Sequence, residues 1–360
     1  MLEVQKCPKR PKVEYKPNPK FGTIFAPHYL SLDLQLGQNS SFRAEIKPYG
    51  SDNLEPGTAA LHYGQTIFEG MKAFAQKDGS VAIFRPDLHA TRFKLSARRM
   101  SMAELPEEIF IEALKQYVDF ERESVPTEKD HALYLRPLLI ASDNVIKVGT
   151  SQRYRFYIMS TIAGNYFGGG GQIKPARVMV NRNFVRAYPG GMGEAKTAAN
   201  YAASIYPQKF AAGFNCDQVL FLDSNQHEYI DELGGMNFFA VRGQTLVTPE
   251  LNGCILKGVT RTSILEIAKN LGLKVSEEKM SFSSLRESIE KGETRELFAC
   301  GTAAVVSPIG ELVYMKDMNS EPEIIRPQGQ HEISLQLLDY YSKIQRGFEK
   351  APNENWLLKV

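Results

Sequence analysis

Four consecutive glycines, Gly168 to Gly171, lie near the middle of a 360-residue chain. Glycine loses more conformational freedom on ordering than any other residue, so a run of four is held in one conformation only at high entropic cost. Such a run marks a linker, and a chain of this length has room for about two domains, each able to bury its own core. The sequence is accordingly divided into an N-terminal arm at 1–20, a smaller α+β domain at 21–163, an interdomain glycine-rich loop at 164–175 and a larger α+β domain at 176–360. The run is not a dinucleotide fingerprint. That motif needs a helix after the glycines, whereas here Ile173-Lys174-Pro175 and another strand pattern, Ala176 to Asn181, follow.

Charge narrows the functional classes. With 43 basic against 41 acidic residues the net charge is +2, so no global field recruits nucleic acid or a membrane surface, and small-molecule work fits better. The arm is basic and proline-rich from Lys6 to Lys20 and reads as a mobile or surface-draped segment. It lacks an apolar h-region, and no later segment reaches a spanning length, so a cytoplasmic location is expected. A nucleic-acid module built on that arm would need charge that the rest of the chain lacks. The four cysteines, Cys7, Cys216, Cys254 and Cys300, show neither C-x-x-C spacing nor a nearby histidine cluster, so neither a disulfide framework nor a metal site is expected.

Hydrophobic spacing outlines the elements. Leu61 to Phe74 reads as one strand ending at Gly70, and Val81 to Phe84 as a short strand stopped by Pro86. Asp87 is placed to cap a helix running to about Met102, which sets Arg92 a turn and a half inside. Glu107 and Glu108 begin a second helix, whose apolar stripe Phe110, Ala113, Leu114, Tyr117 and Val118 is core. From His131 to Ser142 the pattern alternates, putting Tyr134, Arg136 and Leu138 on one face and Leu133, Leu135 and Leu139 on the other. An arginine beside a tyrosine on an inward face suits a carboxylate. A helix after Lys196 is expected to carry Tyr201, to break near Pro207 and to close at Gly213. Thr260 is placed to cap a helix with Ile264, Leu265, Ile267, Ala268 and Leu271 on its apolar face, and the first N–H groups of that helix offer an anion site. Gly301-Thr302 reads as a tight turn between strands, and His331 to Gly347 as a helix with Leu335, Leu338, Tyr341 and Ile344 inward.

The stretch Gly190-Gly191-Met192-Gly193-Glu194-Ala195-Lys196-Thr197-Ala198-Ala199-Asn200-Tyr201 carries the clearest chemical signal. Small residues on both sides of Lys196 leave room for a planar ligand to reach its amine, which is what a Schiff-base lysine requires. Taken alone, a lysine at this spacing reads as a solvated helix-start residue. By spacing alone Arg92 is likewise a solvated helix arginine and Glu232 a turn acid ahead of Gly234-Gly235, while Thr260 reads equally as a plain cap or as part of an anion site.

Seven motifs in one order change that balance: His62 to Phe74, Phe84-Arg85-Pro86 with Arg92, Leu133-Tyr134-Leu135-Arg136-Pro137, the Lys196 stretch, Glu232-Leu233-Gly234-Gly235-Met236-Asn237, Leu256-Lys257-Gly258-Val259-Thr260-Arg261, and Gly301-Thr302-Ala303. From about Phe21 to Trp356 the chain resembles the branched-chain-amino-acid aminotransferases, class IV pyridoxal-phosphate enzymes. The resemblance implies a two-domain α+β fold of type IV, shared with D-amino-acid aminotransferase, with the cofactor in an interdomain cleft.

It further implies that pyridoxal 5′-phosphate is held by Lys196 as a Schiff base, by Tyr201 at the ring oxygen, by Glu232 at the ring nitrogen, and by Arg92, Val259, Thr260 and Thr302 at the phosphate. Tyr63, Phe68, Tyr134, Arg136, Tyr166, Met236, Thr302 and Ala303 would line the substrate pocket. The implied reaction is ping-pong transamination between leucine, isoleucine or valine and 2-oxoglutarate, giving branched-chain 2-oxo acids and glutamate in a homodimer. A lyase or D-amino-acid transaminase on the same fold, and a catalytically silent homologue, are the competing readings. Two departures are visible. Ala304 and Ser307 stand where some members carry a thiol pair, so no redox switch is expected, and Gly235 stands where a threonine is usual.

Overall fold

The computed structural model describes residues 1–15, 19–164 and 174–360. Its contacts divide the chain into two compact units: Met1–Gly169 with Ala195–Ala199 and Ile344–Val360, and Gly170–Glu194 with Asn200–Lys343. Each unit is an α+β assembly, and neither is continuous in sequence. The division drawn at 164–175 put Lys196 and the residues after 344 in the second domain, whereas their contacts group them with the first unit.

The first unit is built on a nine-stranded sheet. Its members begin with β1 (Leu2–Lys6), β2 (His28–Gln35), β3 (Phe42–Pro48), the short helix α1 (Ala59–Tyr63) and β4 (Thr66–Phe68). Next come β5 (Met71–Ala75), β6 (Val81–Phe84), α2 (Pro86–Arg99), α3 (Glu107–Phe120), β7 (Ala132–Ala141) and β8 (Arg153–Ala163). The strand order is β1-β3-β2-β8-β7-β5-β6 followed by Leu357–Lys359, with β4 pairing β7. The core lies under α2 and α3, where Phe93, Phe110 and Phe156 meet with ring centroids 5.0–6.0 Å apart.

Three expectations are corrected here. The N-terminal segment is not simply draped: β1 pairs in parallel with β3, from Leu2↔Phe42 to Lys6↔Ile46. The stretch from Leu61 to Phe74 is not one strand, because Gly64 at φ 69° closes α1 before β4 and β5 begin. The cap of α2 is Arg85 rather than Asp87. Arg85 sits at φ 50° with its guanidinium 4.4 Å from the Trp356 ring, and Asp87 falls in the first turn. The α3 stripe is buried at all five positions, and the inner face of β7 likewise buries Leu133, Leu135 and Leu139.

The second unit runs β9 (Ala176–Asn181), α4 (Ala198–Ala212), β10 (Gln218–Leu222), β11 (Ile230–Leu233), β12 (Asn237–Arg242) and β13 (Thr245–Pro249). It continues with α5 (Val259–Asn270), β14 (Lys274–Glu278), α6 (Phe282–Glu290), β15 (Thr294–Gly301), β16 (Val305–Met315), β17 (Glu323–Ile325) and α7 (Glu332–Gln345). Its sheet order is β11-β10-β9-β16-β15-β12-β13-β14, with β17 on β16.

Pro207 does not break α4. Proline removes one helical hydrogen bond, and Ala203, whose carbonyl loses its donor, is exposed to water. The inward face of α7 is Ser334, Leu337, Tyr341 and Ile344, and Leu335 is 39% exposed. The apolar spacing alone could not tell two adjacent helical rows apart. Among the described residues no helix is long and apolar enough to cross a membrane.

Candidate active site

In the first unit the inward α2 stripe carries polar members among its apolar ones. His89, Arg92 and Ser96 lie three and four residues apart, so they share one helix face, and all three are buried. Glu69, on the turn between β4 and β5 and 0% exposed, accepts from Arg92 Nε at 2.7 Å and Nη2 at 2.8 Å. It also accepts from His89 Nδ1 at 2.6 Å. Burial alone would raise the Glu69 carboxyl, but the charges and hydrogen bonds of Arg92 and His89 outweigh it and hold it well below the usual carboxylate range. Burial pushes His89 down, and the charges of Arg92 and Lys196 add to that against the pull of Glu69.

Lys196 is pinned on both sides of its backbone. Its N–H donates to Ser96 Oγ at 3.0 Å, and its carbonyl accepts from the Phe68 N–H at 3.1 Å. Thr197 bridges to Ile67, and its hydroxyl donates to the Thr66 carbonyl, so the five-residue visit of 195–199 is fastened along β4. The lysine Nζ stands 4.7 Å from the Phe68 ring centre, and the Arg136 guanidinium is also 4.7 Å from that centre. Arg136 donates from Nη2 to the Tyr134 hydroxyl at 3.0 Å, while its Nε is buried with no partner among the described residues. Gly70 makes room for that tyrosine: a Cβ there would lie 2.0 Å from the Tyr134 hydroxyl oxygen. Tyr63 ends α1 and is 38% exposed, with His62 as its ring neighbour.

In the second unit the convergence point is Asn237. Its amide nitrogen donates to Glu232 Oε2 at 2.8 Å and to the Leu256 carbonyl at 2.9 Å. Its side-chain oxygen lies where a Cβ on Gly258 would go, 2.0 Å away. The backbone of Asn237 pairs with Cys300, one residue before the Gly301 turn. Glu232, on β11 and buried, also takes the Leu256 N–H at 2.9 Å and an ion pair with Arg186 at 2.7 Å.

Gly258, not Thr260, is the N-cap of α5, and it has no side-chain cap. Thr260 is buried in the first turn, and the N–H groups there have no acceptor within the helix. The Gly301 turn packs on the Gly235–Met236 turn: a Cβ on Gly301 would be 3.2 Å from Met236 Cγ. This gathers Met236, Thr302 and Ala303. Gly235 has space, with only Tyr201 Cε1 near an added Cβ, at 3.7 Å. Val305, just past that turn, is held at φ 61°, a costly conformation for a β-branched residue. Tyr166 lies outside the described residues.

Residues 66–312 match the class IV amino-transferase family. Over 95% of its length the chain is 41% identical to a branched-chain-amino-acid aminotransferase of Mycolicibacterium smegmatis, covering 92% of that protein. It is 42% identical over its whole length to a probable branched-chain-amino-acid aminotransferase of Staphylococcus aureus strain MRSA252, covering 99% of it. The chain belongs to this family of branched-chain-amino-acid aminotransferases. Among solved structures, a T.th. branched-chain amino acid aminotransferase with pyridoxamine 5′-phosphate is similar to it. That structure is 27% identical, the match covers 91% of this chain and 97% of that one, and the TM-score is 0.71. The fold is the two-domain type IV aminotransferase fold.

The donor sets suit the cofactor of class IV aminotransferases, pyridoxal 5′-phosphate. An uncapped helix start and a hydroxyl-bearing turn in the second unit answer a phosphate, and a buried carboxylate with three donors already on it answers a ring nitrogen. Three residues of these clusters escape sequence reading: Glu69, Arg186 and Asn237 as a side-chain bridge. Each acts through a partner between 5 and 46 positions away; Glu69 and Asn237 had a signal in their places in the His62–Phe74 and Glu232 motifs, and Arg186 had none.

Proposed function

We propose that this aminotransferase moves the amino group of leucine, isoleucine or valine to 2-oxoglutarate in ping-pong order, with Lys196 as the residue that holds the cofactor covalently and handles the proton. The observation carrying this reading is the fastening of Lys196 at both its N–H and its carbonyl, with its amine over Phe68 and beside the Arg92–Glu69–His89 cluster. Pyridoxal 5′-phosphate, when bound, supplies a carbonyl that takes up the amino group and a ring that accepts the electron pair left at the α-carbon.

Every other task falls to the chain's own residues. Lys196 Nζ would move the proton between the substrate's α-carbon and the cofactor's C4′ carbon, as general base and then acid. Glu232 holds a proton on the ring nitrogen, and Tyr201 donates to the ring oxygen. Arg92, Val259, Thr260 and Thr302 bind the phosphate, Arg92 from an orientation set by Glu69. Phe68, Tyr63, Tyr134, Tyr166, Met236 and Ala303 exclude water from the apolar side chain. Arg136 is the reader of a second carboxylate: its buried Nε has no acceptor among the described residues, and glutamate or 2-oxoglutarate supplies one. The T.th. enzyme, solved also with N-(5′-phosphopyridoxyl)-L-glutamate, supports an acidic partner substrate in this reading.

Borohydride reduction of the holoenzyme followed by peptide mapping tests the assignment. The cofactor's mass should appear on Lys196 and vanish with turnover in Lys196→Ala. Mass on another lysine, the buried Lys72 above all, would move the role there.

The reading includes a homodimer. Leu61 is 64% exposed at a cavity of about 390 Å³ that Tyr29, Leu138, Tyr157 and Met159 also line, an apolar surface suited to a second copy. Sedimentation of a monomer at micromolar concentration would contradict it.

A further inference from the structure

Arg186 lies in the second unit between β9 and the glycines that lead to Lys196, and it is 7% exposed. Its Nη2 carries three contacts at once: the ion pair with Glu232 Oε1 at 2.7 Å, the Gly193 carbonyl at 2.8 Å, and the Cys254 carbonyl at 2.5 Å. Its Nε is buried with no partner among the described residues. A buried donor left unmade costs free energy that a purely structural arginine would tend to avoid. Gly193 is fitted to the same spot, because a Cβ there would come within 2.6 Å of the Cys254 backbone at three atoms. The loop approaching Lys196 is therefore pressed onto the segment that hands the Leu256 N–H to Glu232, and Arg186 fastens the join.

We propose that Arg186 is a positioning residue for the transamination. It acts through Glu232, keeping that side chain an oriented carboxylate, and through Gly193, keeping the lysine approach loop in register with it. The proposal rests on the reading of Glu232 as the ring-nitrogen partner. A cation touching one carboxylate oxygen favours the ionised acid, and the remaining oxygen, held by Asn237, stays aimed. Lysine could keep the charge there, but on a shorter head that lacks the planar guanidinium placing Nη2 among the acid and the two carbonyls.

The test is a double-mutant cycle on the holoenzyme with Arg186→Met, Glu232→Gln and the pair. Three readouts serve: single-turnover rate with leucine, cofactor affinity of the stripped protein by absorbance titration, and the absorption band of the bound cofactor. Arg186→Met should slow the single turnover by about thirtyfold or more, weaken cofactor binding and shift the band. In the Glu232→Gln background the same change should cost less than about threefold, since the group it acts through is already lost.

Equal losses in both backgrounds would overturn the proposal, and an unmoved band with an intact rate would do the same. Unaltered rates in Glu232→Gln alone would instead remove the acid assignment beneath it. If Arg186→Met does not fold, Arg186→Lys enters the same cycle and should recover part of the affinity. Failure of both to fold would overturn the proposal by making Arg186 a folding residue.

Discussion

Glu69→Gln asks whether the order around Arg92 is electrostatic. The substitution keeps the side-chain volume and one acceptor but removes the charge between Arg92 and His89. Glu69 is 0% exposed and accepts from Arg92 at 2.7 and 2.8 Å, so the pair is fully desolvated on the acid's side. Removing one member of a buried pair leaves the other charge uncompensated and costs about 3–5 kcal/mol. The amide oxygen recovers about 1 kcal/mol as a neutral acceptor, leaving a loss of about 3 kcal/mol. Arg92→Met alone should lose a similar amount, because it strands the carboxylate with His89. The double variant strands nothing, so its loss should fall short of the sum by about 2–3 kcal/mol.

Urea unfolding of the four apoproteins, compared by midpoint at constant slope, reads the coupling. Its pH dependence has a definite sign. The Glu69 carboxyl is held below its unfolded value, so its contribution is full above the ordinary carboxylate range and is lost as pH falls through the lower folded value. A coupling within about 0.5 kcal/mol of zero would refute the argument, and Arg92 would then owe its orientation to packing.

Two further outcomes are expected. Arg136→Met should weaken the half-reaction with glutamate at least about tenfold more than the half-reaction with leucine, because only the former asks for a charge-assisted partner in an otherwise apolar pocket; equal losses would make Arg136 structural. Burial, with the Arg346 charge adding to it, pushes Lys72 down to about 8 from 10.5. The unfolded chain therefore binds more protons between those values, and wild type should gain stability relative to Lys72→Met as pH climbs from about 8 to 10.5. A stability difference that stays flat across that range would show that Lys72 keeps its charge.

The elements with strong periodicity were legible in the sequence: the five-residue stripe of α3, the alternation of β7 and the limits of β9 all follow from spacing. Pro207 and Thr260 misled because local propensity was read without its surroundings. An exposed neighbour tolerates the missing N–H at the first, and Asn237 beneath Gly258 decides the cap at the second. In the candidate site the sequence motifs mark the residues proposed to meet a ligand, and not the pairings of residues with one another. Glu69 and Arg92 are 23 positions apart, Arg186 and Glu232 are 46 apart, and nothing local marks either pair. Leu335 failed for a smaller reason, since Ser334 and Leu337 take the inward row that apolarity assigned to Leu335 and Leu338.

The interrupted chain path of the first unit bears on how the protein is made. Residues 195–199 bridge to β4, and Leu357–Lys359 pairs antiparallel with β6 through Leu357↔Phe84, Leu358↔Ile83 and Lys359↔Ala82. Synthesis at about 5–20 residues per second delivers the second unit's whole sheet before that last strand exists. During translation the outer edge of β6 is therefore left open on the ribosome for tens of seconds, an edge strand of four apolar residues, Val81 to Phe84, paired only with β5, that a nascent neighbour could pair with. The unit begun first is the one finished last, and chaperone demand in its biogenesis should centre on that waiting edge.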